Sequence, residues 1–367
     1  MEYRKLPHGD EKISIIGLGN SSLGDSGEKE TEKTVAMALE NGINYFDMAA
    51  GDAVPFPAYG RAVSGCRDKV YFQIHFGAEY HSGKYGWTLD LNEIKRSIDW
   101  QLKSLRTDYI DFGFIHCIDE LSDLEKAMEH GTIAYIEDLK RQGVIRHIGL
   151  SSHTPAVAEK VLDMHILDML MFSINPAYDY RHGEYAIGSG DERAALYRRC
   201  EAEGVGISVM KAFSAGQLLD AKTSPFGQAL TEYQCMQYAL DRPGVLTVLP
   251  GVRNREDLQR ILGFLTAAEE EKDYSVLGSF TPKESSGVCV YCNHCQPCPA
   301  GLDVGLINKY YDLSKAGDEL AKDHYAHLER KASDCIACGH CDARCPFHVA
   351  QSRRMEKIAA YFENGIN

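Results

Sequence analysis

The sequence predicts an α/β chain: a (β/α)8 TIM barrel followed by a smaller α-helical module. Eight short apolar runs alternate with segments of helical period between residue 13 and about residue 263. Strand, helix, strand at this regularity argues for a parallel sheet, and eight such units argue for a closed barrel. Of the 12 cysteines, eight then crowd into residues 289–345. This composition shift marks a second domain, with the barrel expected over 1–280 and the module over 281–367. The 367 residues are too many for one small domain and enough for a large barrel plus an accessory module.

The expected strands are Ile13–Gly17, Ile43–Phe46, Val70–Phe76, Ile110–Ile115, Ile145–Leu150, Met169–Ile174, Gly206–Met210 and Val245–Leu249. They are near-continuous apolar runs, as strands covered on both faces require. Between them, helical spacing runs over Thr31–Asn41, Leu91–Leu105, Thr132–Arg141, Pro155–Leu162, Asp191–Glu203, Phe226–Leu240 and Asn254–Leu262. Gly42, Gly143 and Gly204 each follow a helix just before the next strand, where glycine accepts the left-handed cap conformation cheaply. The second unit is irregular. Between Phe46 and Val70 the chain is rich in Gly and Pro with helical potential only late, which predicts a long loop over the barrel mouth.

In the module, Leu302, Leu306, Ile307, Tyr310, Tyr311 and Leu313 recur at helical spacing, extended by Leu320 and Leu328, and Val349–Phe362 reads as a closing helix. His324, Tyr325 and His327 read as polar surface. Arg353, Arg354 and Lys357 form a basic face, either solvated or a docking site for an acidic redox partner protein.

The formal net charge is -14, with the acidic surplus on residues 1–280. Nucleic acid needs a basic footprint and none is visible. No apolar run approaches the length that spans a bilayer. The opening residues lack the apolar stretch of a secretory signal, so the chain is expected to be cytoplasmic.

The cysteines come as Cys289, Cys292, Cys295 and Cys298 before Pro299, then Cys335, Cys338, Cys341 and Cys345 before Pro346. A thiolate every third residue lets a tight loop aim three sulfurs at one inorganic cube. In two-cluster ferredoxins the fourth cysteine of each run, the one before proline, serves the other cluster. On that pattern Cys289, Cys292, Cys295 and Cys345 hold one 4Fe-4S cluster, and Cys335, Cys338, Cys341 and Cys298 the second. Structural zinc prefers two close pairs far apart, and disulfides need an oxidising compartment. Both fit this spacing less well. Of the four scattered cysteines, Cys66, Cys200 and Cys235 read as buried, inert thiols. Cys117 stands apart because it follows His116 at a strand end.

Barrel chemistry sits where strands end and the following loops begin. The polar residues there are Asp47, His75, His116, Ser151, Ser152, His153, Asn175 and Lys211. Any one of them is ordinarily a satisfied rim group. Three histidines with a carboxylate make a proton-handling constellation, because Asp47 beside an imidazole favours its charged form.

At these residues the chain resembles the aldo-keto reductase family, in the branch with a C-terminal ferredoxin-like extension. NYFDMA (44–49), KVYFQIH (69–75), YIDFGFIH (109–116), IRHIGLSSH (145–153), MKAFSAGQL (210–218) and LPGVRN (249–254) fall in the family's order and spacing. The resemblance implies an oxidoreductase of a small organic molecule with a catalytic aspartate, tyrosine, lysine and histidine. Asp47 and His116 match two of these. His75 occupies the lysine position. The tyrosine position falls at Gly51 and Asp52, leaving Tyr59 as the nearest candidate. For the cofactor NADP(H), the resemblance implies Ser151, Ser152, Asn175, Lys211, Gly251, Arg253 and Asn254. At the remaining nicotinamide and adenine positions stand Met171, Met210 and Ile261. Clusters move single electrons whereas nicotinamide moves a hydride, so the two do not exchange directly without a flavin or a radical-tolerant substrate between them. The expectation is therefore an oxidoreductase whose two clusters feed electrons to a substrate or second cofactor. The contrasting readings are a conventional NADPH-dependent carbonyl reductase and a non-catalytic electron carrier.

Overall fold

The computed structural model describes residues 1–180, 185–279, 287, 289–315 and 319–363. The boundary expected at 280/281 lies outside the described residues. By its internal contacts the chain forms two compact units, one of Met1–Ile174, Val205–Ala215 and Leu246–Ala267, the other of Asn175–Gly204, Gly216–Val245 and Ala268–Asn367.

Eight strands follow one another around the sheet in chain order: β1 (Leu18–Gly19), β2 (Tyr45–Asp47), β3 (Tyr71–Phe76), β4 (Ile110–Ile115), β5 (Ile145–Ser152), β6 (Met169–Ser173), β7 (Gly206–Met210) and β8 (Val245–Val248). Neighbours from β1 to β7 are parallel. Parallel bridges Ile16 to Val248 and Gly19 to Gly251 close the ring, so that none of these eight strands is left at an edge.

The strand expected at Ile13–Gly17 divides its residues between two roles. Lys12–Ser14 pairs antiparallel with Tyr3–Lys5, and the barrel stave begins only afterwards. Leu6 and Ile13 then join Tyr45, Phe112, Phe114, Met169, Met171, Leu246 and Leu249 in one apolar cluster. The hairpin thus adds two side chains to the core that the inward-facing strand residues could not supply. The loop expected between Phe46 and Val70 contains a helix, Pro55–Ala62, with Pro55 at its start, where proline lacks no hydrogen bond. The helix expected at Phe226–Leu240 begins at Glu232, because Thr231 and Gln234 form a capping box there.

In the second unit, helices Val304–Lys315, Glu319–Ala326 and Gln351–Glu363 contribute Val304, Ile307, Tyr325, Met355 and Ile358 to one core cluster with Leu302, Ala332, Cys295 and Cys341. Tyr325, expected at the surface, is buried. Its ring stacks on Phe362 with centroids 3.9 Å apart and its hydroxyl donates to Glu363 at 2.6 Å. A phenol can be buried here because its one polar atom finds a carboxylate.

Near the start of β5, His147 lies between two carboxylates, with Nε2 3.0 Å from Glu11 and Nδ1 3.4 Å from Asp168. Burial opposes its charge, but the hydrogen bonds to Asp168 and Glu11 outweigh burial and hold its pKa above the ordinary value. A pKa raised on folding gives stability that is complete below the unfolded value of about 6.5 and fades as pH rises through the folded value. His147→Gln is therefore expected to cost about 1–3 kcal/mol in denaturant unfolding at mildly acidic pH, with a deficit that shrinks as pH is raised. A deficit independent of pH would assign His147 a packing role only.

Candidate active site

Alternation along β2 and β3 decides which side chains enter the barrel. Tyr45 and Tyr71 belong to the interior apolar cluster, so Asp47, Gln73 and His75, at period two from them, point the same way. Asp47 stands opposite Gln73 in the ladder. Its Oδ1 accepts from Gln73 Nε2 at 3.0 Å, lies 2.6 Å from His75 Nε2, and accepts the Ala49 N–H at 3.3 Å. Gln73, fully buried, ties the group to the rest of the lumen. Its Oε1 accepts from the Tyr45 hydroxyl at 2.6 Å and from Ser208 Oγ at 3.0 Å, and its Nε2 reaches Met171 Sδ at 3.0 Å.

The next shell leads toward the mouth. His75 and His116 meet edge to face with ring centroids 4.4 Å apart. Burial, with His75 and His153 as neighbours, holds the pKa of His116 well below the ordinary imidazole value, so the ring is neutral. His116 Nε2 lies 3.0 Å from the hydroxyl of Tyr85, a residue the sequence reading did not select. Tyr85 is delivered by a hairpin inserted after β3, in which Ala78–Glu79 pairs antiparallel with Gly86–Trp87. Gly77 makes the approach, at a φ of 131° and so close to the His116 carbonyl that a Cβ would collide with it. The Tyr85 N–H donates to the carbonyl of Gly51, and the Ala53 N–H to that of Gly83. The inserted loop is thereby laced to the segment where the resemblance places a tyrosine and the chain has none. Burial, then Cys117 and Asp119, push the Tyr85 phenol up to about 12.

Tyr59 is placed elsewhere. It packs edge-on against Phe46 and Phe72, which alternate with the inward-facing residues, and its hydroxyl donates to Asn20 at 2.6 Å. It is fully buried between helix and sheet and does not join His75 and His116. Ser151 Oγ lies 3.8 Å from Cys117 Sγ and 3.7 Å from Met171 Sδ, while Ser152 Oγ donates to Asp119 at 3.3 Å. Lys211 ends β7 at a φ of 57°, a strained position for a lysine. Asn175 caps the short helix Pro176–Asp179 by accepting from the Tyr178 N–H. Gly251 faces open space. Asn254 caps the helix Arg255–Leu262, and Arg253 Nε is bound to Asp257 at 2.8 Å. That pairing, aided by Arg260 and opposed by burial, pulls the Asp257 pKa down to about 2.

Residues 15–234 match the aldo/keto reductase family and residues 285–349 a 4Fe-4S dicluster domain. The chain belongs to the aldo/keto reductase family. It is 28% identical over 314 residues to the uncharacterized oxidoreductase YqkF of Bacillus subtilis, covering 77% of this chain and 98% of that one. It is 29% identical over 176 residues to L-galactose dehydrogenase of Arabidopsis thaliana, covering 44% of this chain and 52% of that one. In fold it is similar to the aldo-keto reductase AKR11C1 of Bacillus halodurans in its holo form, with a TM-score of 0.62 and 23% identity over 77% of this chain and 97% of that one. It is thus an aldo/keto reductase-type oxidoreductase with a 4Fe-4S dicluster domain.

Two of the positions where that family meets the nicotinamide carry methionine here. A carboxamide needs hydrogen-bonding partners, yet Met171 and Met210 offer thioethers, and the Met171 sulfur already meets Gln73 and Ser151. On the phosphate side, Arg253 and Asn254 are committed to Asp257 and to the helix cap.

The cysteines fit iron. Cys298, Cys335, Cys338 and Cys341 line one cavity with Pro299, Ile336 and Met355. The proline-flanked cysteine of the first run thus joins three of the second. Burial pushes the Cys292 thiol up to about 12 against a backbone hydrogen bond, with Cys289 and then Cys345 adding to the rise. Among the described residues none of the cysteines is in a disulfide. Thiols grouped this closely become thiolates only around a cation, as iron supplies. Quantified after anaerobic purification, iron should be about eight per chain, falling to about half in Cys298→Ser and in Cys345→Ser, with different electron paramagnetic resonance signals surviving in the two. Zinc in place of iron, or loss of the same signal from both variants, would refute the crossed assignment.

Proposed function

We propose that this chain reduces or oxidises a small carbonyl or alcohol substrate at the barrel mouth, using electrons carried by its cysteine module. When bound, 4Fe-4S clusters held by Cys289, Cys292, Cys295 and Cys345 and by Cys298, Cys335, Cys338 and Cys341 supply those electrons singly. Turning a carbonyl into a hydroxyl takes two electrons and two protons; the barrel residues deliver the proton to oxygen, and the proton to carbon comes from solvent. Tyr85 is the proton donor to the substrate oxygen. Neutral His116, at hydrogen-bond distance from Tyr85, orients the phenol, and solvent at the mouth returns the proton that Tyr85 gives up. His75 supports the His116 ring, and Asp47 fixes His75. Lys211, at the end of β7, binds an anionic group of the substrate.

The observation that carries this reading is the 3.0 Å contact between Tyr85 and His116, on a ring that itself rests on the Asp47-bound His75. Family membership favours one other reading, turnover on NADPH alone. Both are tested with intact clusters, a chemically reduced viologen as donor and a panel of aldehydes and ketones, with released cofactors identified by mass spectrometry to detect a flavin. Tyr85→Phe and His116→Asn should each lower kcat by about 10²- to 10⁴-fold at unchanged iron content, while Tyr59→Phe should change it little. No turnover by the wild type, with electron transfer to an acceptor protein unchanged in His116→Asn, would make the chain an electron carrier, whereas wild-type turnover in His116→Asn would refute the proton path. Turnover on NADPH that cluster-ligand variants leave unchanged would make it a conventional reductase.

A further inference from the structure

Three donor side chains outside the proton path converge at the ends of β4 and β5. Cys117 follows His116, Asp119 lies two residues further on, and His153 follows β5. Asp119 Oδ2 is 2.9 Å from His153 Nδ1 and 3.7 Å from Cys117 Sγ, and that sulfur is 3.8 Å from His153 Nδ1. All three ligand atoms lie within 4.8 Å of one another. One sulfur, one nitrogen and one carboxylate oxygen face a common point.

Metal–ligand lengths test whether an ion fits that point. Zinc bonds of about 2.3 Å to sulfur and about 2.0–2.2 Å to nitrogen and oxygen, at tetrahedral angles, separate the ligand atoms by roughly 3.3–3.6 Å. The observed edges of 2.9, 3.7 and 3.8 Å bracket that range, so shifts of a few tenths of an ångström would meet it. The carboxylate is also held in place. Asp119 Oδ1 accepts the His153 N–H at 2.6 Å and Ser152 Oγ at 3.3 Å, so the oxygen turned toward Cys117 and His153 is Oδ2. Hydrogen bonds that fix one carboxylate oxygen while the other ligates are the outer-shell support of protein metal sites.

We propose that Cys117, Asp119 and His153 bind one divalent transition metal of the zinc class at the barrel mouth. Three protein ligands leave a fourth position open, the arrangement of catalytic rather than structural zinc, and two of the ligands lie within three residues of His116 in the chain. A carbonyl oxygen could occupy that position. The bland alternative is a His153–Asp119 hydrogen bond with a thiol beside it, and it predicts no metal affinity.

The test uses the full chain with its clusters loaded anaerobically, zinc as the probe, and zinc and iron both quantified after dialysis against a weak chelator. About one zinc per chain beyond the cluster iron is expected, with X-ray absorption showing a single sulfur neighbour. Cys117→Ala, and separately Asp119→Asn, should weaken zinc retention about tenfold or more at unchanged iron. Should Cys117→Ala fail to fold, Asp119→Asn and His153→Gln read the same site. Zinc retained equally by wild type and variants, zinc with four sulfur neighbours, or no zinc retained by the wild type would each overturn the proposal. Because the readout is metal content, it stands or falls independently of the proton path.

Discussion

A carboxylate buried in the lumen of a barrel sets the terms for the residues around it. Asp47 is only 4% exposed, and an ion removed from water costs several kcal/mol unless donors replace the solvent. Gln73, His75 and the Ala49 N–H do so. Gln73 then needs donors for its own carbonyl, which Tyr45 and Ser208 provide, and acceptors for its amide. A chain of linked polar groups thus runs across an interior whose lower part is apolar. The layer is rigid because each member is fixed by the next. Removing any one of them strands another, so this constraint fixes His75, and through it His116, in one geometry.

That rigidity explains how a tyrosine from another segment can take the donor role proposed for Tyr85. The lumen presents His116 at a defined place, and whichever loop brings a phenol within hydrogen-bond distance completes the group. Here the loop after β3 does it. Its short hairpin, the tight approach at Gly77 and the main-chain bonds to Gly51 and Ala53 hold Tyr85 against the same ring. The chemistry is set by position, and the route of the backbone that supplies it is free to change.

How far the sequence discloses this depends on the range of the interaction. Strands were legible because two buried faces leave a plain apolar run, and cysteine spacing was legible because a cluster dictates it locally. Asp47, His75 and His116 could be read as strand-end polar residues. Gln73 was readable in principle, since alternation puts it on the same face as His75, but a lone glutamine carries no chemical signature. Tyr85 was not readable at all, because its place depends on a hairpin folding back onto a segment about 30 residues earlier, a tertiary contact without a local pattern. Tyr59, nearest along the chain, was the natural choice, and alternation at Phe46 and Phe72 explains why it lies on the wrong side of the sheet. Lys12–Ser14 does form a strand, but its partner is the preceding segment Tyr3–Lys5.

Arg242 gives the second unit its own constraint. Its guanidinium is buried against the Tyr238 ring and donates to the carbonyl of Tyr238, the hydroxyl of Tyr274 and the carbonyl of Val290, the residue after the first cysteine. A permanently charged group from the segment between β7 and β8 is thus neutralised in part by main chain from the cysteine module. The module is consequently not a cassette that could be excised or transplanted at its sequence boundary. Cutting there would remove one of the three acceptors of a buried cation, which a gain or loss of the iron-binding segment would have to replace.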